Sequence, residues 1–423
     1  MGYSVTHGIR PILLLLCLLG VGCAPLRPQP AADAWPASST RWDDFVLTFW
    51  CGPPLDLFDD RRAAEIAAAG FNVVGAPCEG AHSPALNLRA LDTAHRHGLR
   101  VWLRDRRFDK DAPARPDWPR PLAQAVAEYA HHPALAGYFV EDEPTASEFA
   151  AVARVRDELE RLDPDRFAYV NLLPDYVTPE GLEAATYEEY VEGFAATVRP
   201  ELLSFDYYPF GKERDRSTFF RNLESIRRLS LRHDVPFLLI LLAMPHGPYR
   251  DPTEAEIAWQ AHHALAYGAR GISYFAYWTP VNVGDYPIFK FHYGLIEGGL
   301  PTLHYFQAAR LNRRLLALGR AMAGLRSLGV LDSRGEVAPP LPFAPLQAIE
   351  GGALTAGFFL DGDAGLWLLL VNRDYRYGVS ARLVLDAGAA APHGFDPETG
   401  GWSAADPSRI ALEPGGALLL RWD

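Results

Sequence analysis

Cysteine and methionine are scarce in this chain, which has four cysteines and three methionines among 423 residues. The sequence also contains no H-E-x-x-H, C-x-x-C or G-x-S-x-G motif. Metalloproteases of the zincin type, thiol-redox proteins and α/β-hydrolases carry their chemistry in those motifs. We therefore exclude these three enzyme classes.

Positive charge is also in short supply. The formal net charge is -12, and no run of lysines and arginines is interleaved with aromatic residues. Proteins that bind nucleic acid need a basic face for the phosphates, so we expect no nucleic-acid partner. The adjacent histidines His131–His132 and His262–His263 would diverge by about 100° on a helix. They do not present two ligands to one metal, and we expect neither a metal site nor a cofactor.

The amino-terminal residues have the composition of an export signal. The apolar run PILLLLCLLGVGC ends at Cys23 and is too short to span a bilayer comfortably. Its end resembles the lipobox of bacterial lipoproteins, with Gly20 where that pattern prefers leucine. We expect a signal peptide over residues 1–22, lipidation of Cys23 and a tether over residues 23–40. Ordinary cleavage or an uncleaved anchor is the alternative.

Two cysteines, Cys51 and Cys78, remain in the predicted folded part of the chain. An exported protein permits a disulfide between them. Two buried free thiols are the alternative, because the sequence does not supply the Cα separation on which a bridge depends.

Short apolar runs alternate with amphipathic helical patterns from Phe45 onward. Eight such runs occur in order: FVLTFW, FNVVGAP, LRVWLRD, AGYFVED, FAYVNLL, LLSFDYY, PFLLILLAM and GISYFAYW. Eight β/α repeats with nearly continuous apolar strands predict a (β/α)8 TIM barrel, here over residues 41–327. The alternative is an open doubly wound sheet, but its G-x-G-x-x-G turn is missing after the first strand.

The pattern changes near Gly329 to short alternating segments such as LTAGFFLDG and LWLLLVNRD, separated by Gly, Asp and Pro. This texture predicts a small all-β sandwich domain over residues 328–423.

Reacting groups of a TIM barrel come from the carboxyl ends of its strands. Carboxylates and aromatic residues dominate these positions in the sequence. Aromatic faces suit sugar rings, and paired carboxyl groups suit cleavage of a glycosidic bond. We expect Glu143 and Asp206 to be catalytic. The predicted substrate-binding residues are Trp50, Glu79, Arg104, Glu141, Asp142, Asn171, Tyr207, Tyr208, His246, Tyr277 and Trp278.

The run GYFVEDEP ends the fourth predicted strand with three consecutive carboxylates. Like charges nearby raise the pKa of a carboxyl group, which is what a general acid needs near neutral pH. Because side chains alternate along a strand, we expect Glu141 and Glu143 to share one side and Asp142 to point to the other, unless the strand has already turned.

The DEP stretch resembles the Asn-Glu or Asp-Glu signature of the clan A glycoside hydrolases, in which that Glu is the acid/base. The later run YGARGISYFAYW resembles the seventh helix and eighth strand of β-galactosidase-like barrels. The resemblance implies a TIM-barrel glycoside hydrolase with a carboxyl-terminal β-sandwich, and it implies that Glu143 is the acid/base.

The chain departs from that family at the seventh strand, where LLILLAMPHG carries no carboxylate in place of the nucleophilic Glu. Asp206 is our first candidate for the second carboxylate and Glu79 the second. An inverting pair would stand roughly 6.5 to 9.5 Å apart. A substrate-assisted mechanism, with Asp142 orienting a substrate group, is also open.

The sequence therefore predicts an exported, lipid-anchored glycoside hydrolase that acts on a poly- or oligosaccharide. The alternative is a surface glycan-binding or scaffold lipoprotein that kept the barrel and lost turnover.

Overall fold

Residues 45–281, 290–334 and 345–422 are described by the structure, which is a computed structural model. The predicted signal peptide, tether and lipidation site lie outside these residues. Within them, no helix combines the length and the apolarity needed to cross a membrane.

Eight parallel strands and the helices between them make up the first part of the fold. The strands are β1 (Val46–Trp50), β2 (Val73–Val74), β3 (Arg100–Arg104), β4 (Leu135–Asp142), β5 (Phe167–Leu172), β6 (Leu203–Tyr207), β7 (Phe237–Leu242) and β8 (Gly271–Phe275). The helices are α1 (Asp60–Ala68), α2 (Pro84–Arg96), α3 (Arg120–Tyr129), α4 (Phe149–Leu162), α5 (Pro179–Leu182), α6 (Tyr187–Val198), α7 (Phe219–His233), α8 (Glu254–Ala266) and α9 (Leu303–Ala321).

The eight strands form one sheet in the order β1-β8-β7-β6-β5-β4-β3-β2. Its two end strands also meet, because Asn72 N donates to Leu47 O (3.0 Å) and Gly52 N to Ala76 O (2.9 Å). The sheet is thus a nearly closed barrel with helices outside, and the predicted TIM barrel is confirmed. Strand β7 is buried throughout, as expected for a parallel strand with both faces covered.

Layers of side chains fill the interior of the barrel. Trp102 on β3 stacks on Tyr169 of β5 with 4.2 Å between ring centroids, and the Tyr169 hydroxyl lies 2.8 Å from Ser204 Oγ on β6. Because side chains alternate along a strand, the residues two positions later also face inward. This rule puts Arg104, Asn171 and Asp206 in the next layer, at the carboxyl-terminal mouth.

The remaining strands follow the barrel. A hairpin of β9 (Ile296–Glu297) and β10 (Leu300–Pro301) precedes α9. The later strands are β11 (Arg326–Arg334), β12 (Leu346–Gly351), β13 (Ala353–Leu360), β14 (Leu366–Asn372), β15 (Val379–Leu385), β16 (His393–Asp396), β17 (Gly401–Ala404), β18 (Ile410–Leu412) and β19 (Ala417–Trp422). They form a six-stranded sheet, β11-β13-β14-β19-β16-β17, and a three-stranded sheet, β12-β15-β18.

These two sheets share one apolar core, to which β13, β14 and β19 contribute from one sheet and β12, β15 and β18 from the other. The six-stranded sheet also packs against the barrel helix α8, where Trp259 Nε1 donates to Arg373 O (2.9 Å). A Cβ at Gly357 would lie 2.2 Å from Ala266 O, so this contact requires glycine. The predicted all-β domain is confirmed, and the predicted boundary at 328 falls inside β11.

Candidate active site

Asn171 organises the polar centre of the mouth. Its Nδ2 donates to Asp206 Oδ1 (3.1 Å) and to Asp142 Oδ1 (3.2 Å), while its Oδ1 accepts from Ser204 Oγ (3.1 Å). The side chain is almost fully buried, with 2% of its surface exposed. Both amide protons are therefore committed, and Asn171 fixes the positions of two carboxyl groups that come from different strands.

Glu143 follows β4 directly and has left-handed backbone geometry, with φ at 54°. A non-glycine residue in this region costs about 1 kcal/mol or more, and such residues concentrate at functional sites. Its backbone N donates to Asn171 O (2.9 Å), which holds the turn. The carboxyl group of Glu143 shares a hydrogen bond with that of Asp206.

The exception allowed for the predicted alternation of the three carboxylates applies, because the strand has already turned at Glu143. Asp142 and Glu143 both reach the Asn171–Asp206 network, although strict alternation would separate them. The pairing of β4 with β5 shifts register between Phe139 and Glu141, and the chain then turns at Glu143. Strict alternation therefore no longer applies at the end of this strand.

Glu143 and Asp206 form a proton-sharing pair. Burial and the adjacent Asp206 charge raise the pKa of Glu143 well above its usual range. Burial also raises the pKa of Asp206, but the hydrogen bond from Glu143 opposes this rise, as does the one from Asn171. The shared proton therefore resides on Glu143 and the negative charge on Asp206.

Asp142 and Glu141 occupy different surroundings. Burial, followed by the charge of Glu143, raises the pKa of Asp142 to about 8. Asp142 and Glu143 nevertheless keep surface exposed to solvent at the floor of the mouth, and this water weakens both shifts. Glu141 instead forms an ion pair with Lys110 (3.4 Å), which also binds Glu148 (2.8 Å). We call Asp142, Glu143, Asn171 and Asp206 the carboxylate side of the mouth.

Aromatic rings line the adjoining part of the mouth. The residues Tyr208, His246, Tyr249, Phe275 and Phe291 make mutual ring contacts with centroids 4.8 to 5.9 Å apart. We call these five residues the aromatic side. Burial lowers the pKa of His246 to about 4, so its ring is neutral at neutral pH, and its Nδ1 lies 3.1 Å from Met244 O.

Three other predicted substrate ligands lie at the mouth. Trp50 ends β1, with its ring centroid 5.3 Å from that of Phe139. The guanidinium of Arg104 lies over the same ring, 5.2 Å from its centroid. Glu79 follows β2, and its Oε2 accepts a hydrogen bond from Val281 N (3.0 Å).

The structure does not bring three other predicted ligands to the mouth. The Tyr207 hydroxyl lies 2.8 Å from Thr218 Oγ1, and the Tyr277 hydroxyl donates to Glu65 Oε1 (2.8 Å). Tyr207 is fully buried among the outer helices because it alternates with the inward-facing Asp206, and Tyr277 is fully buried against the outer helix α1. Trp278 is also buried, with 8% exposed and the guanidinium of Arg62 over its ring at 5.2 Å.

Several residues of the site were missed in the sequence. Ser204 lies two positions before Asp206, so strand alternation could have found it. Phe275 ends β8, so strand alternation could have found it as well. Tyr249 and Phe291 carry no such signal, because their proximity depends on how the loops after β7 and β8 fold over the barrel.

Cys51 and Cys78 form a disulfide, with their Cα atoms 4.7 Å apart. It ties the segment after β1 to the segment after β2 at the rim of the mouth. The alternative of two free thiols is excluded.

Comparisons with known proteins show the fold and little more. No family model matches the chain, and no curated protein does so. The solved structure of a catalytic mutant of a GH42 β-galactosidase from G. stearothermophilus matches with a TM-score of 0.60 and 10% identity, over 89% of this chain and 98% of that chain. The β-galactosidase from Bacillus circulans sp. alkalophilus matches with a TM-score of 0.60 and 10% identity, over 92% and 100%.

A β-galactosidase from the psychrophilic Marinomonas ef1 matches with a TM-score of 0.49 and 12% identity. The match covers 66% of this chain and 60% of that chain, so this chain spans three fifths of that protein's length. At 10% identity, the two structures with a TM-score of 0.60 show that this chain shares their fold. The predicted TIM barrel with a following β domain agrees with that fold, and the resemblance to clan A stays a prediction.

Proposed function

We propose that the protein is a glycoside hydrolase that cleaves O-glycosidic bonds of a poly- or oligosaccharide, with Glu143 as the general acid. The observation that carries the proposal is the hydrogen-bonded Glu143–Asp206 pair at the carboxyl-terminal end of the barrel. A carboxyl group that keeps its proton near neutral pH can protonate the leaving oxygen of a glycosidic bond.

Asp206 serves this reaction as the partner of Glu143. Carboxyl groups that flank a sugar stand roughly 5 to 5.5 Å apart in retaining enzymes and roughly 6.5 to 9.5 Å apart in inverting enzymes. Two carboxyl groups joined by a hydrogen bond leave no room for a sugar or a water between them. Asp206 therefore holds the proton on Glu143 before transfer and accepts a hydrogen bond from it.

The second reacting group then comes from Asp142 or Glu79. Asp142 has the stronger support, because Asn171 anchors it beside Glu143 and part of its surface stays open to solvent. In that position it orients a group of the substrate, as in a substrate-assisted mechanism. Following the anomeric form of the first product by NMR distinguishes retention, which this mechanism gives, from inversion.

Aromatic rings supply the binding surface for the sugar. Flat rings at the mouth suit the apolar faces of pyranoses, and Phe291 and Trp50 keep part of their surface accessible. His246, which is neutral and buried, contacts four aromatic rings and supports this surface.

Export and lipid anchoring belong to the same proposal. The Cys51–Cys78 disulfide supports an oxidising compartment. Cys23 then carries the lipid, on the periplasmic or cell-surface face of the envelope. Labelling of growing cells with a fatty acid should mark the parent protein, and the Cys23→Ser variant should take up no label.

A non-catalytic glycan-binding lipoprotein is the second candidate. It is favoured by the end of β7, where Met244, Pro245 and His246 offer no carboxylate. Such a protein would use the same mouth to hold a glycan without cleaving it.

One substitution separates the two candidates. Glu143→Gln keeps the shape of the side chain and removes its acid proton. We expect hydrolysis of a susceptible glycan to fall by about 100-fold or more while the glycan is still bound. Glu350→Gln on β12, whose exposed carboxylate pairs with Arg382, is the matched control and should keep full activity. Unchanged hydrolysis in Glu143→Gln contradicts the assignment, and a parent protein that binds glycans but cleaves none favours the second candidate.

A further inference from the structure

Four cations lie on or just after β3 beside the carboxylate side. Two of them are neutralised by carboxylates. Arg107 binds Asp105 (2.7 Å) and Glu128 (2.8 Å). Lys110 binds Glu141 and Glu148, as described above. These two side chains have local structural partners and leave little charge for a ligand.

Arg104 differs from both. It is the last residue of β3, faces inward above Trp102, and is partly buried with its guanidinium over Phe139. Within the described residues this guanidinium forms no ion pair and no hydrogen bond. No nitrogen of this guanidinium is among the fully buried unpaired atoms, so its five donors reach solvent and are available to a ligand.

Arg106 is the fourth cation and adds its charge nearby. It is exposed just after β3, and its guanidinium likewise forms no ion pair with the residues that the structure describes. Burial and then the charges of Arg104 and Arg106 lower the pKa of His82, which lies after β2. The two arginines therefore direct a positive field into the space between the loops after β2 and β3.

Two carboxyl groups, Asp109 and Asp142, face this field. Burial raises the pKa of Asp109, although Arg104 opposes that rise. Asp142 is anchored by Asn171, and the charge of Arg104 opposes the rise of its pKa. Neither group forms an ion pair with Arg104, so the positive charge of this corner remains available.

We propose, on the basis of the proposed function, that this corner of the mouth binds an anionic substituent of the glycan, with Arg104 as its principal ligand and Arg106 as a supporting charge. A uronic-acid carboxylate and a sulfate ester share the required chemistry, because each presents two oxygens to the fork of a guanidinium. The substrate class is therefore an acidic glycan.

Binding of matched oligosaccharides tests this without depending on turnover. The protein carries Glu143→Gln so that the probes stay intact. The probes are uronate-containing oligosaccharides with their carboxyl-reduced counterparts, and sulfated oligosaccharides with their desulfated counterparts. We expect at least one acidic probe to bind about 10- to 100-fold more tightly than its neutral counterpart. The pair that shows the preference identifies the substituent.

Substitutions at Arg104 locate the preference. Adding Arg104→Met, which keeps the apolar stem over Phe139, should reduce it to within about threefold, and Arg104→Lys should restore part of it. Arg313→Met on the outer helix α9, where the side chain is exposed, is the control and should leave the preference unchanged. Circular dichroism confirms that each variant is folded.

The proposal is overturned if no acidic probe binds more tightly than its neutral counterpart, if neither member of any pair binds, or if Arg104→Met leaves the preference intact. Hydrolysis by the unsubstituted protein is scored separately. Selective binding of acidic glycans without cleavage contradicts the hydrolase and leaves this inference standing. Cleavage of neutral glycans without any preference for acidic probes supports the hydrolase and contradicts this inference.

Discussion

The carboxylate side and the aromatic side share one mouth but differ in what they can do. On the carboxylate side, one buried amide positions two acids, and a third acid pairs with one of them and keeps a proton. On the aromatic side, the imidazole of His246 is neutral because of burial. Under the proposed function, proton transfer belongs to the carboxylate side and sugar binding to the aromatic side. Substitutions on the two sides should therefore change different kinetic constants.

The strongest challenge to this division is Asn171→Ala. Loss of the amide leaves Asp206, Asp142 and Ser204 without their buried partner. We expect kcat to fall by about 100-fold or more, and the free energy of unfolding to fall by about 2 to 3 kcal/mol. Steady-state kinetics and urea unfolding measure the two effects. A kcat within twofold of the parent value would mean that the network does not position the acid.

Asp206→Asn tests whether Asp206 raises the pKa of Glu143. Removing the negative charge beside Glu143 lowers the pKa of Glu143, whose rise depends on burial and on Asp206. The active form has Glu143 protonated, so activity is lost as pH rises through this pKa. In the variant the loss begins at lower pH. Once the pKa of Glu143 lies below neutral pH, each further decrease of about one in that pKa lowers kcat at neutral pH about tenfold. The pH dependence of kcat is the measurement, and an unmoved alkaline limb contradicts the pairing.

Phe291→Ala tests the other side. The Phe291 ring stacks on His246 with centroids 5.7 Å apart and keeps part of its surface accessible. Loss of one aromatic contact of about 1 kcal/mol should raise KM about fivefold and leave kcat within twofold. If kcat falls as far as it does in the carboxylate-side variants, the division of labour between the two sides is wrong.

The smallest effect concerns stability and pH. Burial raises the pKa of Asp142 from 3.8 toward about 8, but solvent contact keeps the rise well below that limit, and over the range of the rise the folded state keeps a proton that the unfolded state releases. The free energy of unfolding contributed by Asp142 is therefore complete at acid pH and declines as pH rises through that range. Because Asp142 is partly exposed, we expect a decline of less than about 1 kcal/mol.

Asp142→Asn removes this titration. The difference in unfolding free energy between variant and parent should therefore grow in favour of the variant from pH 4.5 to pH 8. Urea unfolding of both proteins at several pH values measures it. A difference that is constant with pH shows that Asp142 ionises in the folded protein as it does in the unfolded chain.

The barrel could be predicted because its buried strands are composed almost entirely of apolar residues. FLLILL on β7 is apolar throughout and buried throughout. The inward direction of Asp206 was also predictable, and the same alternation should have assigned Tyr207 to the outer helices. The sequence could not decide whether Cys51 and Cys78 form a disulfide, because a disulfide depends on a Cα separation that only the closed barrel supplies.

The pairing of Glu143 with Asp206 could not be predicted from the sequence, for a related reason. The two residues were identified as candidates, but they were expected to stand on opposite sides of a sugar. Their contact requires the left-handed turn at Glu143 and the anchoring of both strands by Asn171. A turn of that kind at a non-glycine residue has no signature in composition or periodicity.

The most direct test of the account is to detect the proton on Glu143. Infrared difference spectra between the parent protein and Glu143→Gln at neutral pH compare the carbonyl stretch of a protonated carboxyl group with that of a carboxylate. We predict a protonated carboxyl band in the parent that is missing from the variant and that disappears from the parent at alkaline pH. A carboxylate band from Glu143 at neutral pH, with no protonated band, would contradict the claim that this residue is poised as an acid.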